Sequence, residues 1–375
     1  MNIVIIEPYY TGSHADWARG LQKFSRHQVK ILSLKGQFWK WRMHGGAVTL
    51  AGRYMQQDED PDLILATDML DLATFLALTR ERTAHIPTAV YFHEDQLVYP
   101  WSPTDRDVRY KRDRHYGFIN YTSALAADAV FFNSEYHYQA WFDELPRFLK
   151  HFPDHQGLCN VESIAGKSSV LPLGLYLERF QQAESVKNDL PLILWNHRWE
   201  FDKNPDDFFN ALFVLQERGV EFQLAILGEN FSVAPEIFAQ ARERLGEKIV
   251  RFGYAASRAE YAEWLHRADI LPVTSVHDFF GASVMEAVYC GCWPILPNRL
   301  SYPELVPGDL HGEVLYNSQD ELVEKLEYAL LHIDEIRSRN VRYMAAPYDW
   351  TRIIGQYDRT LESLVSNNQF ADSQS

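Results

Sequence analysis

The chain contains 375 residues and carries a formal net charge of −15 at pH 7. This length predicts two domains, and a hydrophobic content of 46% predicts well-formed cores, with disorder only near the C-terminus. The acidic balance argues against a broad nucleic-acid-binding surface, although a local basic patch is compatible with it.

The cysteines and the N-terminus indicate the compartment. Cys159, Cys290 and Cys292 are too few for a disulfide framework and lack metal-ligand spacing, so we interpret them as thiols in a reducing environment. The opening segment contains Glu7 and no positively charged region, which favours a first strand over a signal peptide. No apolar run approaches bilayer length. We therefore expect a soluble cytoplasmic protein without a membrane partner.

A strand, a glycine-containing loop and a helix open the chain. Ile3–Glu7 is an apolar strand, Pro8–Gly12 a loop, and Ser13 the start of a helix that ends near Phe24. This order is typical of the phosphate-binding half of a βαβ unit. Because the loop holds only Gly12, a plain strand-to-helix turn is the favoured interpretation from these residues alone.

An unusual aromatic and basic segment follows the second strand, Val29–Leu34. In Phe38–Arg53, tryptophans alternate with cationic side chains. One interpretation is an amphipathic element whose aromatic side chains enter the core. The other is an aromatic and cationic surface for a base or a phosphate.

Polar residues follow the next two strands, Asp62–Thr67 and Thr88–His93, which a helix from Asp71 to Arg82 connects. The second strand runs into His93–Pro100. Polar residues at the carboxyl end of a parallel strand lie where open α/β sheets bind ligands. From its position, His93 is equally well a site residue or an ordinary loop residue.

A basic segment, Asp105–Tyr116, reverses the sign of the chain's charge locally. Its cations outnumber its acids and include Arg109, Lys111 and Arg112. A mixed charge run usually forms a solvated face. In so acidic a chain, however, this segment is the best candidate for contact with a phosphate backbone.

The second half repeats the alternation of strands and helices found in the first. Two polar stretches, His151–Ser168 and Glu178–Asp189, with a short strand and turn at Val170–Gly174 between them, separate the halves. Two doubly wound parallel sheets facing each other across a cleft are therefore expected, an α/β architecture. We predict domains at 1–175 and 190–348, a C-terminal helix at 349–366 and a disordered tail at 367–375.

Two cations follow the first strand of the second half, Leu192–Trp195. Arg198 and Lys203 lie five residues apart in a loop that Pro205 ends, so they can converge on one anion. Fixed cations stabilise the negative charge that develops when a diphosphate leaves. The alternative is two ordinary surface cations. Gly228 ends the next strand.

The segment Val276–Pro297 predicts an anion-binding helix start. Backbone N–H groups of Gly281, Ala282 and Ser283 can point at an anion with no side chain in the way. Asp278 precedes the helix and Glu286 lies one turn inside it. This arrangement suits a nucleotide-sugar, with the amides on the diphosphate and the acids on ring and ribose hydroxyls. An apolar helix that opens with glycine is more often core, but ionised carboxylates beside it favour a ligand.

Five blocks of sequence together resemble a known family. The run from Asp278 to Glu286 resembles the E-x7-E signature of retaining family-four glycosyltransferases, with Asp278 in place of the first Glu. Its continuation to Pro294 resembles the narrower tRNA-queuosine mannosyltransferase family. That family's other blocks resemble Tyr9–His14 (G-G-S-H), Phe38–Arg53 (W-x-W-R), His93–Pro100 (H-E-N-Q-L-x-Y-P) and Asn196–Pro205 (H-R-W-E-x-D-K-x-P).

The resemblance implies a GT-B fold and transfer of mannose from GDP-mannose, with retention, to queuosine at the wobble position of tRNA-Asp. It implies no cofactor and no metal, and it has the last helix cross back onto the first domain. The implied catalytic residues are His93, Arg198, Lys203 and Asp278, with His93 facing the transferred sugar. Those implied for the nucleotide-sugar are Gly12, Gly228, Gly281, Ala282, Ser283 and Glu286. Those implied for the tRNA are Ser13, His14, Trp41, Arg42, Arg109, Lys111 and Arg112.

Three other functions remain open at this point. A related GT-B enzyme could use another nucleotide-sugar and a saccharide, lipid or small-molecule acceptor. A nucleotide-sugar epimerase would change the donor without any acceptor. A non-catalytic module would bind a nucleotide or RNA and transfer nothing. For a transferase we expect the acceptor hydroxyl to attack on the face that the leaving group departs from, with a phosphate oxygen taking the proton.

Overall fold

The computed structural model describes residues 1–101, 114–181, 186–228 and 235–372. The chain folds into two compact units. Unit 1 comprises Met1–Tyr176 together with Trp350–Ser375, and unit 2 comprises Leu177–Asp349.

Unit 1 is built on a parallel sheet of six strands in the order β2-β1-β3-β4-β5-β6. The central strands are continuous apolar runs such as Ile3–Ile6, which are buried on both faces because helices cover the sheet. The strands are β1 (Asn2–Tyr10), β2 (Gln28–Lys35), β3 (Leu63–Thr67), β4 (Thr88–Phe92), β5 (Ala129–Phe132) and β6 (Ser168–Val170).

The helices of unit 1 connect these strands, and the last one returns to the unit from the C-terminus. They are α1 (Gly12–Phe24), α2 (Trp39–Tyr54), α3 (Leu72–Thr83), α4 (His115–Ala126), α5 (Glu135–Leu149), α6 (Cys159–Ala165) and, at the C-terminus, α16 (Trp350–Asp372).

Unit 2 contains a second parallel six-stranded sheet, in the order β12-β11-β10-β7-β8-β9. This is the strand order of a dinucleotide-binding sheet. The chain adds β8 and β9 on one side of β7 and then adds β10 to β12 on the other side, so the order of the strands reverses between β7 and β10. The strands are β7 (Leu192–Trp195), β8 (Gln223–Ile226), β9 (Ile249–Phe252), β10 (Ile270–Pro272), β11 (Trp293–Pro297) and β12 (Leu315–Tyr316).

The helices of unit 2 alternate with its strands, and several short 3-10 turns join them. The helices are α7 (Pro205–Glu217), α8 (Ile237–Arg244), α9 (Arg258–Arg267), α10 (Ala282–Tyr289), α11 (Tyr302–Leu305), α12 (His311–Val314), α13 (Gln319–Leu331), α14 (Ile333–Ser338) and α15 (Arg342–Ala345). The 3-10 turns are Leu177–Phe180, Phe201–Lys203, Gly246–Lys248, Gly308–Leu310 and Ala346–Tyr348.

Trp350 fixes the start of α16 in unit 1. Its backbone N–H donates to the carbonyl of Leu175 at 2.9 Å, and its side chain is fully buried. A Cβ on Gly20 or Gly174 would lie 1.8 or 2.5 Å from the indole, so both positions require glycine for the ring to fit.

The structure differs from the sequence predictions mainly at element ends. The polar stretch after His151 contains a helix, α6, and α16 is helical to Asp372 although a disordered tail was expected from residue 367. The last three residues, 373–375, lie outside the described chain. Within the described residues, no helix combines the length and apolarity needed to cross a membrane.

Candidate active site

The site predicted in unit 2 lies where its sheet reverses strand order. The loop after β7 carries Asn196–Lys203, and the loop after β10 carries Asp278 and Gly281. β7 and β10 are neighbouring parallel strands, so both loops leave the same edge of the sheet. In open α/β sheets this is the position of a ligand.

Lys203 and Asp278 form a buried ion pair in this site. Lys203 Nζ lies 3.4 Å from Asp278 Oδ2 and 3.3 Å from Asp202 Oδ2, and it donates to the carbonyl of His277 at 2.9 Å. Asp278 also accepts hydrogen bonds from the hydroxyl of Tyr302 at 3.2 Å and from the N–H of Phe280 at 3.3 Å. The cation is thus held in one place by several oxygens.

The electrostatics keep both partners charged. Burial lowers the pKa of Lys203, but the carboxylates of Asp278 and Asp202 outweigh burial, so its pKa lies above the ordinary value. Burial raises the pKa of Asp278, but Lys203 and then His197 reverse this, and its pKa lies below the ordinary value. An ammonium group is therefore fixed beside the start of α10 over the whole neutral range.

The helix α10 begins as predicted, with Gly281 as its N-cap in the left-handed region at φ 95°. A Cβ there would lie 3.2 Å from the ring of Tyr302, so any other residue would be both strained and crowded. Ala282 and Ser283 form the first turn, whose N–H groups lack intrahelical acceptors.

His197 is a site residue that the sequence analysis did not select. Its side chain is buried, and Nδ1 lies 3.3 Å from Ser283 Oγ. Among the described residues, Nε2 has no hydrogen-bond partner. Burial and then Lys203 lower its pKa to about 4, so the imidazole is neutral. Its place inside the block Asn196–Pro205 was the available signal.

Gly228 lies directly against the backbone of this loop. It has φ 110°, and a Cβ would lie only 2.0 Å from the carbonyl oxygen of His197. The residues after it, 229–234, lie outside the described chain. Gly228 thus acts on the site by permitting a close backbone approach.

Glu286 is held by two partners within unit 2. Oε1 accepts from Arg179 at 2.5 Å, and Oε2 accepts from the hydroxyl of Tyr261 at 3.1 Å. Asn196, which bonds the carbonyl of Ser283 at 2.8 Å, also contacts Tyr261. This network orients the carboxylate, and no spacing in the sequence predicts it.

Arg198 lies at the exposed side of the site. Its guanidinium pairs with Glu200 at 3.2 Å, and about half of its side chain is accessible. Its charge lowers the pKa of both His197 and Lys203. Arg198 and Lys203 therefore lie close enough for their charges to interact, and their convergence on one anion stays a prediction.

The residues predicted in unit 1 form a second polar cluster. His14 Nδ1 lies 3.1 Å from Glu7 Oε2, and the rings of His14 and His93 lie 4.3 Å apart. The backbone N–H of His93 donates to Asp68 at 2.8 Å. All four side chains are buried near the carboxyl ends of β1, β3 and β4.

The two histidines differ in charge: His14 is positively charged and His93 is neutral. Burial lowers the pKa of His14, but Glu7 outweighs it and raises the pKa to about 9. Burial and the neighbouring His14 lower the pKa of His93 well below its ordinary value. Ligand atoms of Glu7, His14 and His93 lie within 4.8 Å of one another, a grouping that sequence spacing did not reveal. The Glu7–His14 ion pair accounts for two of these three residues.

The other predicted residues of unit 1 lie at the start of α1, on α2 or outside the described chain. Gly12 begins α1 with φ 51°, and Ser13 is exposed in its first turn. On α2, Trp41 is 63% exposed, and Arg42 donates to the carbonyl of Lys35 at 3.1 Å. Arg109, Lys111 and Arg112 lie outside the described residues.

Another buried histidine of unit 1, His137, holds the loop after β4. His137 Nε2 lies 3.0 Å from Asp95 Oδ2, and its Nδ1 lies 2.9 Å from Asn133 Oδ1. Asp95 also accepts from two backbone N–H groups of its own loop at 2.8 Å. Asp95 is therefore a structural anchor for the loop that carries His93.

Comparison with known proteins identifies the two halves separately. Residues 2–175 match the family described as tRNA-queuosine alpha-mannosyltransferase N-terminal, and residues 178–345 match glycosyl transferases group 1. A tRNA-queuosine alpha-mannosyltransferase of Drosophila melanogaster is 38% identical over 87% of this chain and 86% of its own. A GDP-mannose-dependent alpha-(1-6)-phosphatidylinositol dimannoside mannosyltransferase of Mycobacterium tuberculosis is 24% identical over 47% of this chain and 45% of its own.

Solved structures resemble the whole chain in fold. Sucrose-phosphate synthase from Thermosynechococcus elongatus aligns with a TM-score of 0.71 at 15% identity, over 98% of this chain and 100% of its own. Together with the two parallel sheets, this likeness confirms the predicted α/β GT-B fold class. The chain therefore belongs to the tRNA-queuosine alpha-mannosyltransferase family and is a glycosyltransferase.

Proposed function

We propose that this enzyme transfers mannose from GDP-mannose to queuosine at the wobble position of tRNA-Asp, with retention. The observation that carries the proposal is the fixed Lys203 ammonium beside the amino end of α10, in a chain of this family. The mycobacterial relative is named GDP-mannose-dependent, which supports the choice of donor.

Unit 2 supplies the proposed donor site. The N–H groups of Gly281, Ala282 and Ser283 bind the diphosphate, because the amino end of a helix favours an anion. Glu286, oriented by Arg179 and Tyr261, accepts hydrogen bonds from ribose hydroxyls. Gly228 lets the backbone approach the nucleotide closely.

Leaving-group departure is the step that the cations serve. Negative charge develops on the diphosphate, and Lys203 with Arg198 stabilises it at positions fixed beforehand. Asp278 is committed to Lys203, Tyr302 and a backbone N–H, so it serves as an orienting group rather than a nucleophile. The acceptor hydroxyl then attacks on the face of departure, and a phosphate oxygen takes its proton.

Unit 1 supplies the proposed acceptor side. His93 is neutral, and its buried Nε2 has no hydrogen-bond partner among the described residues. It can therefore bond a hydroxyl of the transferred sugar. The His14 imidazolium, paired with Glu7, adds a fixed positive charge, while Gly12 and Ser13 lie in the adjoining turn.

We also propose that catalysis needs no metal and takes place in the cytoplasm. The two cations and the helix amides provide the charge stabilisation that a divalent ion would supply. The three cysteines, all in the described chain, are free, which fits a reducing compartment. Activity that survives exhaustive chelation supports this proposal, and loss of activity that a divalent ion restores contradicts it.

A panel of labelled nucleotide-sugars against two tRNA pools tests the function. One pool comes from cells with queuosine and the other from cells without it. We expect label from GDP-mannose only, and only in queuosine-containing tRNA. Transfer to a saccharide or lipid, donor interconversion without acceptor, or GDP binding without any transfer would each replace this function with one of the alternatives.

A further inference from the structure

A long stretch of unit 1 is basic without interruption. Between Asp16 and Asp58 the sequence contains eight Lys and Arg residues and no Asp or Glu, in a chain whose net charge is −15. The stretch covers most of α1, the edge strand β2 and α2. Two of these cations, Arg19 and Arg26, pair with Asp16 and Glu362, which lie outside the stretch. The remaining local excess of positive charge attracts polyanions despite the overall charge.

Two large aromatic side chains project from this stretch. Phe38 is 75% exposed and Trp41 is 63% exposed. The opposite face of α2 is buried, from Met43 to Tyr54. Amphipathic packing therefore accounts for α2 itself and leaves the exposure of these two rings unexplained.

The backbone at Phe38, one of these two residues, is strained. Phe38 is the N-cap of α2 at φ 55°, in the left-handed region that a bulky residue rarely adopts. The Trp41 indole lies against Gly45, where a Cβ would come within 2.6 Å of the ring. Exposure and strain together indicate a binding role, because neither contributes to the core.

The neighbouring cations remain available for an anion. Arg42 and Arg53 donate to the carbonyls of Lys35 and Ser33 at 3.1 and 3.0 Å. Within the described part of the chain, no carboxylate pairs with either guanidinium or with Lys35. We call Lys35, Phe38, Trp41, Arg42 and Arg53 the β2–α2 surface.

This surface adjoins the proposed acceptor residues. A Cβ on Gly36 would lie 2.2 Å from Thr11 Cγ2, and one on Gly46 would lie 3.0 Å from Pro8 Cβ. The turn between β2 and α2 is thus packed against the turn that leads into Gly12, Ser13 and His14.

We propose that the β2–α2 surface binds the single-stranded part of the RNA acceptor. Unpaired bases stack on Phe38 and Trp41, and Lys35, Arg42 and Arg53 contact the neighbouring phosphates. Stacking on aromatic side chains is how proteins hold unpaired bases splayed from a loop. The inference rests on the RNA acceptor proposed above and assigns its docking surface.

The favoured occupant is RNA rather than an anionic membrane, which also attracts aromatic and basic residues. The surface lies within residues 2–175, the part that matches the tRNA-queuosine family. A membrane would use the whole exposed face of α2, including Val48, which is 57% exposed. RNA stacking uses only the rings at its amino end.

The test measures binding of full-length protein to an RNA hairpin that carries the queuosine anticodon loop. The same hairpin with its loop closed by a complementary strand is the control ligand. We expect Phe38→Ala and Trp41→Ala each to raise the Kd for the open hairpin about fivefold or more. For the closed hairpin, each substitution should raise the Kd by a much smaller factor than it does for the open hairpin. Arg42→Gln with Arg53→Gln should weaken both and reduce the slope of log K against log salt by roughly 0.7 for each lost contact.

Matched variants separate the possible outcomes. Tyr254→Ala removes a similarly exposed ring from unit 2, and Arg80→Gln removes an exposed cation from α3. Both should leave hairpin affinity within twofold. GDP affinity and the melting temperature report whether each variant is folded.

The proposal is overturned if the Phe38 and Trp41 variants bind the open hairpin as tightly as wild type does. It is also overturned if wild-type protein binds the open and closed hairpins equally. The membrane alternative predicts that the wild-type protein binds vesicles of anionic lipid and that Val48→Ser and Trp41→Ala each abolish this binding. That result would assign the surface to a membrane instead. Failure of wild-type protein to mannosylate queuosine-tRNA overturns the proposed function itself, which is a different result.

Discussion

Lys203 is the residue on which the proposed chemistry of this enzyme depends most. Its ammonium is buried and contacts two carboxylates and a backbone carbonyl. A buried cation with such partners is expensive to keep unless its charge is used. We therefore attribute to Lys203 a role in the departure of the diphosphate.

Lys203→Ala should reduce kcat by about 10²–10³, equivalent to roughly 3–4 kcal/mol of transition-state stabilisation, while GDP still binds. Steady-state kinetics and calorimetric titration with GDP measure the two effects. Lys150→Ala, at an exposed position of unit 1, is the matched control. A near-wild-type kcat in the Lys203 variant would remove this residue from the mechanism.

The Glu7–His14 pair predicts a specific pH dependence of stability. The pKa of His14 is raised from 6.5 to about 9 in the folded protein. A raised pKa gives stability that is complete below the unfolded value and is lost as the pH rises through the folded value. Glu7→Gln removes that contribution.

We expect Glu7→Gln to lower the free energy of unfolding most at about pH 6, by up to about 3 kcal/mol. The difference from wild type should shrink as the pH approaches about 9. Thermal unfolding at several pH values measures it. A difference that does not vary over this range would show that the pair carries no net charge coupling.

Single residues were predictable where the signal was local. Lys203, Asp278 and Gly281 stand in contiguous blocks, and the structure brings them together. Asp95–His137 and Arg179–Glu286 are pairs of residues far apart in sequence, so their contacts depend on the topology and no spacing rule predicts them. His197 lies inside the block Asn196–Pro205, but only its burial and its contact with Ser283, which is distant in sequence, identified it as a site residue.

Among the elements, the loop after β7 and the turn after β8 are locked together by a backbone contact. Gly228 is the point of closest approach, since a Cβ there would overlap the His197 carbonyl at 2.0 Å. Gly219 also has a positive φ, of 75°, but nothing lies within 4 Å of its Cβ position. Comparing substitutions at the two glycines therefore distinguishes the effect of backbone strain, which both share, from the effect of close approach, which only Gly228 shows.

Gly228→Ala should therefore destabilise the protein by about 3 kcal/mol or more, whereas Gly219→Ala should cost only about 1 kcal/mol. Because the displaced carbonyl belongs to His197, the Gly228 variant should also bind GDP more weakly. Denaturant melts and GDP titrations measure both effects. Equal destabilisation by the two substitutions would mean that strain alone explains Gly228.

Elements with strong local signals matched the sequence predictions closely. The strand Leu192–Trp195 has the predicted bounds, because it is a short apolar run between polar turns. Ser257 and Ser318 cap their helices through contacts that are local in sequence, accepting from the Glu260 and Glu321 N–H groups at 3.1 and 3.2 Å. The helix α6 was missed because its seven residues lie in a polar stretch without strong periodicity.

At the scale of the whole molecule, the chain ends in the unit where it began. The indole of Trp350 fills the space that Gly20 and Gly174 leave open. Tyr357, also on α16, places its hydroxyl 3.0 Å from Trp17 Nε1 and 2.8 Å from the Pro172 carbonyl. The C-terminal helix is thus part of the core of unit 1.

Trp350→Ala should reduce the stability of unit 1 by about 3–5 kcal/mol, because it leaves a large cavity. Trp41→Ala, which removes an exposed ring of the same kind, should change stability by less than about 0.5 kcal/mol. Hydrogen exchange locates the effect. We expect faster exchange in β1 and α1, and an effect confined to unit 2 would contradict the assignment of α16.

Charge at the scale of the whole chain opposes RNA, so binding must depend on local cations. Arg109, Lys111 and Arg112, which lie outside the described residues, are the strongest such group in the sequence. Changing all three to Gln should weaken tRNA binding and reduce the slope of log K against log salt by about 2–3 if each contacts a phosphate. A variant of Arg80, Arg147 and Lys150, exposed cations of unit 1, is the matched control. If the first triple variant binds tRNA as wild type does, at every salt concentration, the acceptor's phosphates bind elsewhere on the protein.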